Sequence, residues 1–322
     1  MTMTSDQAPP AAPAEDASAV PVRVIGMPGG FAERGLAWVC QILEHAGHAP
    51  QVVPLADAAP GWRIGFGHVP PAAPPGGRVL VFLDSLPAVL TPLLRQRNDT
   101  LDAVRELTGF LAPLASLLQA PGVLVVRREP DMDVAATRQA IARHLLPDRD
   151  PPATPMPCEA GFDPAAPDPA PSGQPLALLR QVLAPMLAFA EGAREPIVWP
   201  LCCFYAGDHP GELAPPIVET LGPARILYYG PYFHLPPGRW QVDVQLFFAN
   251  DIPDSILSAE LYAQDVLAQV EMHPQYGGLF QGRMSMTVPR ADHGIEFRLW
   301  IRFGALSGHL GLRQVLLTPL EA

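Results

Sequence analysis

The sequence predicts an α/β unit followed by an all-β unit: a parallel sheet covered by helices, then an antiparallel β-sandwich. Three observations predict it. Apolar strand-like runs alternate with helix-period segments through residues 21–147. Nine prolines crowd residues 151–175, a composition that cannot pack a core. From residue 197 short alternating runs and turn signals take over, and all six tyrosines lie beyond that point.

The first unit spans residues 21–147, after a tail (1–20) expected to be disordered. Val22, Val24 and Ile25 read as a buried strand. Gly26, Gly29 and Gly30 then allow a tight turn, and Leu36, Val39, Cys40 and Leu43 recur at helical spacing. Such loops bind phosphate where backbone N–H groups and the helix dipole converge. They usually add a fixed cation. All 21 basic residues here are arginine, which excludes a Walker lysine and a Schiff-base lysine. Arg34 is the nearby cation, with Glu33 beside it. Strands are expected at 51–54, 63–69, 79–83 and 123–126, and helices at 87–97 and 101–118. Asp133 reads as the N-cap of a helix carrying Ile141, Leu145 and Leu146.

Residues 148–175 read as a linker, and 176–194 as a helix that must accommodate Pro185. The second unit, 195–322, offers strands at 197–205, 225–229, 239–248, 258–262, 266–272, 283–288, 295–303 and 309–317. Trp240, Val242, Val244 and Leu246 share one face. The expected architecture is jelly-roll-like. Cys202 and Cys203 are expected on opposite faces of the first of these strands, as small buried residues. The four cysteines show no metal or disulfide spacing.

A net charge of −11 excludes the basic footprint of a nucleic-acid binder. No apolar run of about 18 residues is present, so no membrane span is expected. The first residues lack the charged leader and apolar core of a secretory signal, and the expected location is cytoplasmic.

Residues 22–146 resemble the sulfotransferase family, whose fold is a parallel sheet of P-loop type. The resemblance rests on the strand, loop and helix ending Trp38-Val39-Cys40, and on Gly67-His68-Val69-Pro70 through Arg78–Leu83. It implies a phosphoadenosine phosphosulfate donor held by Gly29, Gly30, Arg34 and Thr91, with His68 as general base. The functional positions are altered. Pro28 precedes Gly29 and Gly30 where the family has a cation and a hydroxyl, and registering on Trp38 instead puts Glu33 at the cation position. Leu83 takes the place of the arginine that binds the 3′-phosphate, and Thr91 that of its serine partner. The resemblance therefore implies a degenerate donor site and no resident cofactor, and leaves catalysis open.

Residues 195–322 are similar to carbohydrate-binding-module-like sandwiches found with bacterial surface-polysaccharide enzymes. The run from Arg225 through Tyr228, Tyr229, Tyr232, Phe233 and His234 to Trp240 carries the similarity. It implies a glycan stacked on exposed rings, with Tyr229, Tyr232 and Trp240 as candidates. Asn250, Asp251 and Asp254 supply oxygens that suit calcium. Together these readings describe a non-catalytic carbohydrate-binding or scaffolding component of polysaccharide or glycoconjugate assembly, with glycans or assembly proteins as partners. Two alternatives are an active sulfotransferase and an adaptor whose sandwich edge recruits a protein.

Overall fold

The computed structural model describes residues 20–59, 61–71, 76–97, 99–149, 163–166, 171–249 and 256–321. The expected tail up to residue 19, and residues 150–162 and 167–170 of the expected linker, fall outside these residues, as do Asn250, Asp251 and Asp254.

The first unit runs β1 (Val22–Gly26), α1 (Gly30–His45), β2 (Gln51–Pro54), β3 (Arg63–Gly67), β4 (Arg78–Leu83), α2 (Leu86–Gln96), α3 (Thr100–Leu118), β5 (Val123–Arg127) and α4 (Val134–Leu145). Its five strands pair in parallel in the order β2-β3-β1-β4-β5. Strand alternation sends Val22, Val24, Leu80 and Phe82 to one face, beneath α1 and α4. Ile25, Val79 and Val81 point to the other, beneath α2 and α3. Gly35 is required for the first packing: a Cβ there would lie 2.3 Å from the Phe82 ring. Asp133 caps α4 by accepting from the Ala136 N–H at 3.0 Å, as its sequence predicts.

A helical segment of α5 (Gly173–Leu178), a π-helical turn (Leu179–Leu183) and α6 (Ala184–Ala190) leads to the sandwich. The helix begins before the expected position 176. Pro185 comes just after the π-helical turn inside one uninterrupted helical run, with Leu183 and Ala184 both helical in φ and ψ. One apolar cluster continues from Ile25 and Val81 through Leu107, Phe110 and Leu114 of α3, then Val182 and Met186, to Trp199, Trp240 and Phe297. The sheet and the sandwich share a hydrophobic core through these helices.

The sandwich strands are β6 (Ile197–Pro200), β7 (Tyr205–Ala206), β8 (Val218–Glu219), β9 (Arg225–Phe233), β10 (Gly238–Phe248), β11 (Leu257–Tyr262), β12 (Val266–Met272), β13 (Gly278–Val288), β14 (Ile295–Ile301) and β15 (His309–Pro319). One sheet is β13-β10-β15-β6 with β8 beside β15, and the other is β12-β11-β14-β9-β7. Every pairing in them is antiparallel. Among the described strands the chain changes sheet at each connection except β11 to β12.

The expected single strand 197–205 is corrected here. It breaks at a 3-10 turn, Leu201–Cys203, so the two cysteines do not alternate across a strand. The Cys203 thiol donates to the Pro200 carbonyl at 3.0 Å. The break lets the chain leave one sheet at Pro200 and join the other at Tyr205.

Candidate functional site: two surfaces on one chain

The first surface is the carboxyl end of the parallel sheet. From β1 the chain turns through α1 toward β2, and from β4 it turns through α2 and α3 toward β5, on the opposite side. Open α/β sheets bind ligands in the crevice that this divergence opens. Gly29 occupies a φ of 144° at the mouth of α1, which has no side-chain cap. Gly30 and Glu33 are exposed, and Arg34 is half-buried on the first turn. His68 stands just beyond β3, its Nδ1 2.8 Å from the Gly26 carbonyl oxygen. A carbonyl only accepts, so Nδ1 carries the proton and Nε2 is the basic nitrogen of the neutral ring. That tautomer suits a proton acceptor.

Other groups close the crevice. Asp84, directly after β4, forms an ion pair with Arg128, directly after β5, and their side chains are only 13% and 11% exposed. Ser85, not Asp84, caps α2, by accepting from the Ala88 N–H at 3.2 Å. Leu83 is buried in the core. Thr91 lies inside α2, about 8 Å along the axis from Leu86 at 1.5 Å per residue. Thr91 thus stands six residues after the Ser85 cap, within the body of α2.

The second surface is the outer face of the sheet β12-β11-β14-β9-β7. Register places Tyr229, Arg298, Glu260 and Gln269 in one row across four strands. Glu296 and Tyr262 form the next, with Tyr232 at its β9 end, and Trp300 and Ser258 lie in the row on the other side. Arg298 ties the grid together. Its Nη2 lies 2.5 Å from Glu296 Oε2, its Nη1 lies 3.3 Å from Glu260 Oε1, and its guanidinium carbon stands 4.0 Å from the Tyr262 ring centroid. Two acids on one cation would be costly to bury, yet each keeps a charge-assisted hydrogen bond.

Tyr232 is 36% exposed and donates to Glu296 Oε1 at 2.8 Å. Burial, and then this donation to a carboxylate, push its phenol well above the usual tyrosine range. The half-buried Tyr229 ring meets Tyr232 edge-on at 6.5 Å and Tyr205 at 5.3 Å, and its hydroxyl accepts from the Gly211 N–H at 2.9 Å. Ser258, fully buried, accepts from Gln269 at 2.8 Å and Arg302 at 3.1 Å. The result is three partly exposed tyrosines, Tyr229 and Tyr232 on β9 and Tyr262 on β11, set around a fixed ionic cluster.

Trp240 does not belong to this face. It is 1% exposed, stacks on Phe189 with centroids 5.4 Å apart, and donates to the Pro236 carbonyl at 3.1 Å. The reading of it as a surface ring is corrected: it belongs to the core, on the inward face of β10. Conversely, Tyr262, Arg298, Glu260 and Glu296 were not singled out from sequence. Alternation in β11 and β14 does put them outward, but the pairing that joins them links strands distant in sequence.

No family model matches the sequence, and no curated protein matches it. Among solved structures, the cyclase FisC from Fischerella sp. TAU is 13% identical over 30% of this chain and 56% of its own, with a TM-score of 0.24. The chain thus spans about half the length of that cyclase. A carbohydrate-binding module of the Cellvibrio mixtus lichenase 5A, in complex with cellotriose, is 10% identical over 33% of this chain and 71% of its own, with a TM-score of 0.22. The module TmCBM61, in complex with β-1,4-galactotriose, is 14% identical over 41% and 94%, with a TM-score of 0.24. Likeness at this level transfers neither fold nor ligand. Among the described residues no helix is long and apolar enough to cross a membrane, and no group of three or more metal-ligating side chains occurs.

Proposed function

We propose that the protein is a non-catalytic saccharide-binding component, acting in polysaccharide or glycoconjugate assembly, with the outer face of β12-β11-β14-β9-β7 as its binding surface. The observation that carries this reading is the ring row Tyr229, Tyr232 and Tyr262 beside the pinned Glu260–Arg298–Glu296 cluster. Ring faces accept sugar C–H groups, while fixed carboxylates and a guanidinium meet hydroxyls without further loss of side-chain entropy. In the same proposal the α/β unit is a sulfotransferase-like scaffold. Glu33 and Asp84 would repel a polyanionic donor, and the nearby Arg128 is already engaged.

The test uses the full chain on immobilised cellotriose and β-1,4-galactotriose, the sugars of the two modules above. Wild type should be retained and Tyr232→Ala should not, while the variant loses about 2 kcal/mol of stability, one hydrogen bond plus the ring contacts with Tyr229 and Arg105. No retention of wild type would overturn the reading. Calorimetry with adenosine 3′,5′-bisphosphate should show nothing tighter than roughly millimolar, because two missing charge-assisted bonds cost about 1.5–3 kcal/mol each. A micromolar constant would restore sulfuryl transfer.

A further inference from the structure

Helix α3 belongs to the α/β unit, yet its polar stripe faces the sandwich. Asp99 caps the helix, and Asp102, Arg105 and Thr108 follow at three-residue steps, each turned about 60° from the last; Asp99, Arg105 and Thr108 bond directly to the sandwich. Asp99 divides its two oxygens: Oδ1 caps α3 by accepting from the Leu101 N–H at 3.0 Å, and Oδ2 accepts from the Tyr205 hydroxyl at 3.3 Å. Thr108, fully buried, accepts from the His234 N–H at 3.2 Å. Arg105 sits between them and makes three separate attachments. Its Nη1 donates to Asp102 at 2.6 Å, its Nη2 to the Tyr205 hydroxyl at 2.8 Å, and its Nε to the Pro231 carbonyl at 2.8 Å. The guanidinium carbon lies 5.5 Å from the Tyr205 ring centroid and 5.4 Å from that of Tyr232.

Tyr232 needs such support. Its φ of 66° is left-handed, a conformation that a tyrosine holds only where surrounding contacts over-determine it. Two restraints meet at this residue. Arg105 grips the carbonyl immediately before it and covers its ring, and Glu296 takes its hydroxyl. Tyr205, held by Arg105 and Asp99, then backs the Tyr229 ring.

We propose that Arg105 is a positioning residue of the saccharide surface: it sets Tyr232 and Tyr205, so the binding surface is a composite of the two units. This rests on the saccharide reading above. The sandwich by itself lacks one of the two restraints on Tyr232, and α3 transmits any displacement of the α/β unit directly to the ring row. Lysine cannot replace the arginine, because one ammonium cannot reach a carbonyl, a hydroxyl and a carboxylate in a planar fork.

The experiment measures affinity of the full chain for β-1,4-galactotriose and cellotriose, with thermal stability as a parallel readout. Arg105→Ala should bind at least tenfold more weakly, and Arg105→Lys should recover only a minor part of that loss. In double-mutant cycles Arg105→Ala should be non-additive with Tyr232→Phe and additive with Tyr262→Phe, which lies on another strand. A merely structural role would weaken both pairs alike, and that result, or wild-type affinity in Arg105→Ala, overturns the proposal. Acetylation of tyrosine hydroxyls by N-acetylimidazole, read by peptide mass spectrometry, requires no sugar. Tyr232 should be modified several-fold faster in Arg105→Ala while Tyr262 is unchanged. If wild type binds neither sugar, the saccharide reading falls and the acetylation rates alone decide the positioning. An unchanged Tyr232 rate refutes it, and a raised rate upholds it.

Discussion

The carboxyl end of the parallel sheet and the outer face of β12-β11-β14-β9-β7 both carry an arginine–carboxylate arrangement, and they use it oppositely. At the parallel sheet, Arg128 and Asp84 pair across the ends of β5 and β4, in the place where a ligand of such a sheet would bind. On the sandwich, Arg298 satisfies Glu260 and Glu296 within the plane of the sheet, and Tyr229, Tyr232 and Tyr262 stand beside the group with accessible surface. In the proposed reading, one arrangement fills a site and the other floors one. A glycine-rich strand-to-helix loop is therefore not evidence of a working phosphate site until the groups across from it are known.

The largest test of this contrast concerns rings. Trp240→Ala should destabilise the protein by about 4 kcal/mol, the cost of emptying a packed aromatic site. Chemical denaturation that shows a loss below about 1 kcal/mol would mean that Trp240 is not the core residue described. Next, Asp84→Asn strands the Arg128 cation in a poorly exposed position and should cost about 3 kcal/mol. Saccharide retention should be unchanged, because Asp84 and Arg128 are not among the partners through which Arg105 sets the rings. If Asp84→Asn instead improves binding of a bisphosphate nucleotide, the crevice is a blocked site and not a lost one, and the comparison above must be redrawn.

The smallest effect lies on the other sandwich sheet. Asp243 of β10 is 4% exposed, and burial alone would raise its pKa. Hydrogen bonds from Arg283, Gln281 and Gln241 outweigh that and hold the carboxyl below the usual aspartate range. A depressed folded-state value means stability that is present above the unfolded-state pKa and lost as pH falls through the folded one. Arg283→Gln should therefore lower stability near neutrality, where Asp243 is ionised, and move the acid unfolding midpoint to higher pH, both by a small amount because Arg283 itself is exposed. A midpoint that does not move would show that the amides alone sustain the ionised carboxyl.

Much of the fold was legible because its signals are local. Asp133 as a cap, the strand at 79–83 and the alternation from Trp240 to Leu246 each depend on residues a few positions apart. That alternation even held the answer for Trp240, which shares its face with Val242, Val244 and Leu246. Choosing it as a surface ring set composition above parity. The 3-10 break at Leu201–Cys203 was not legible, since an apolar run continues through it and only the change of sheet requires a turn there.

What the sequence by itself determined is the order of elements and the inward or outward parity of each strand: hydrophobic period and side-chain alternation are set by neighbouring residues. Glu296, Arg298 and Trp300 were bound to share a face, and so were Ser258, Glu260 and Tyr262. Tertiary structure alone decided that those two faces are one surface, because β11 pairs with β14 across some forty residues of chain. It likewise brought Arg105 to the carbonyl of Pro231, 126 residues away. Such pairings are selected by the burial of a shared core, an energy summed over the whole molecule that no local stretch encodes.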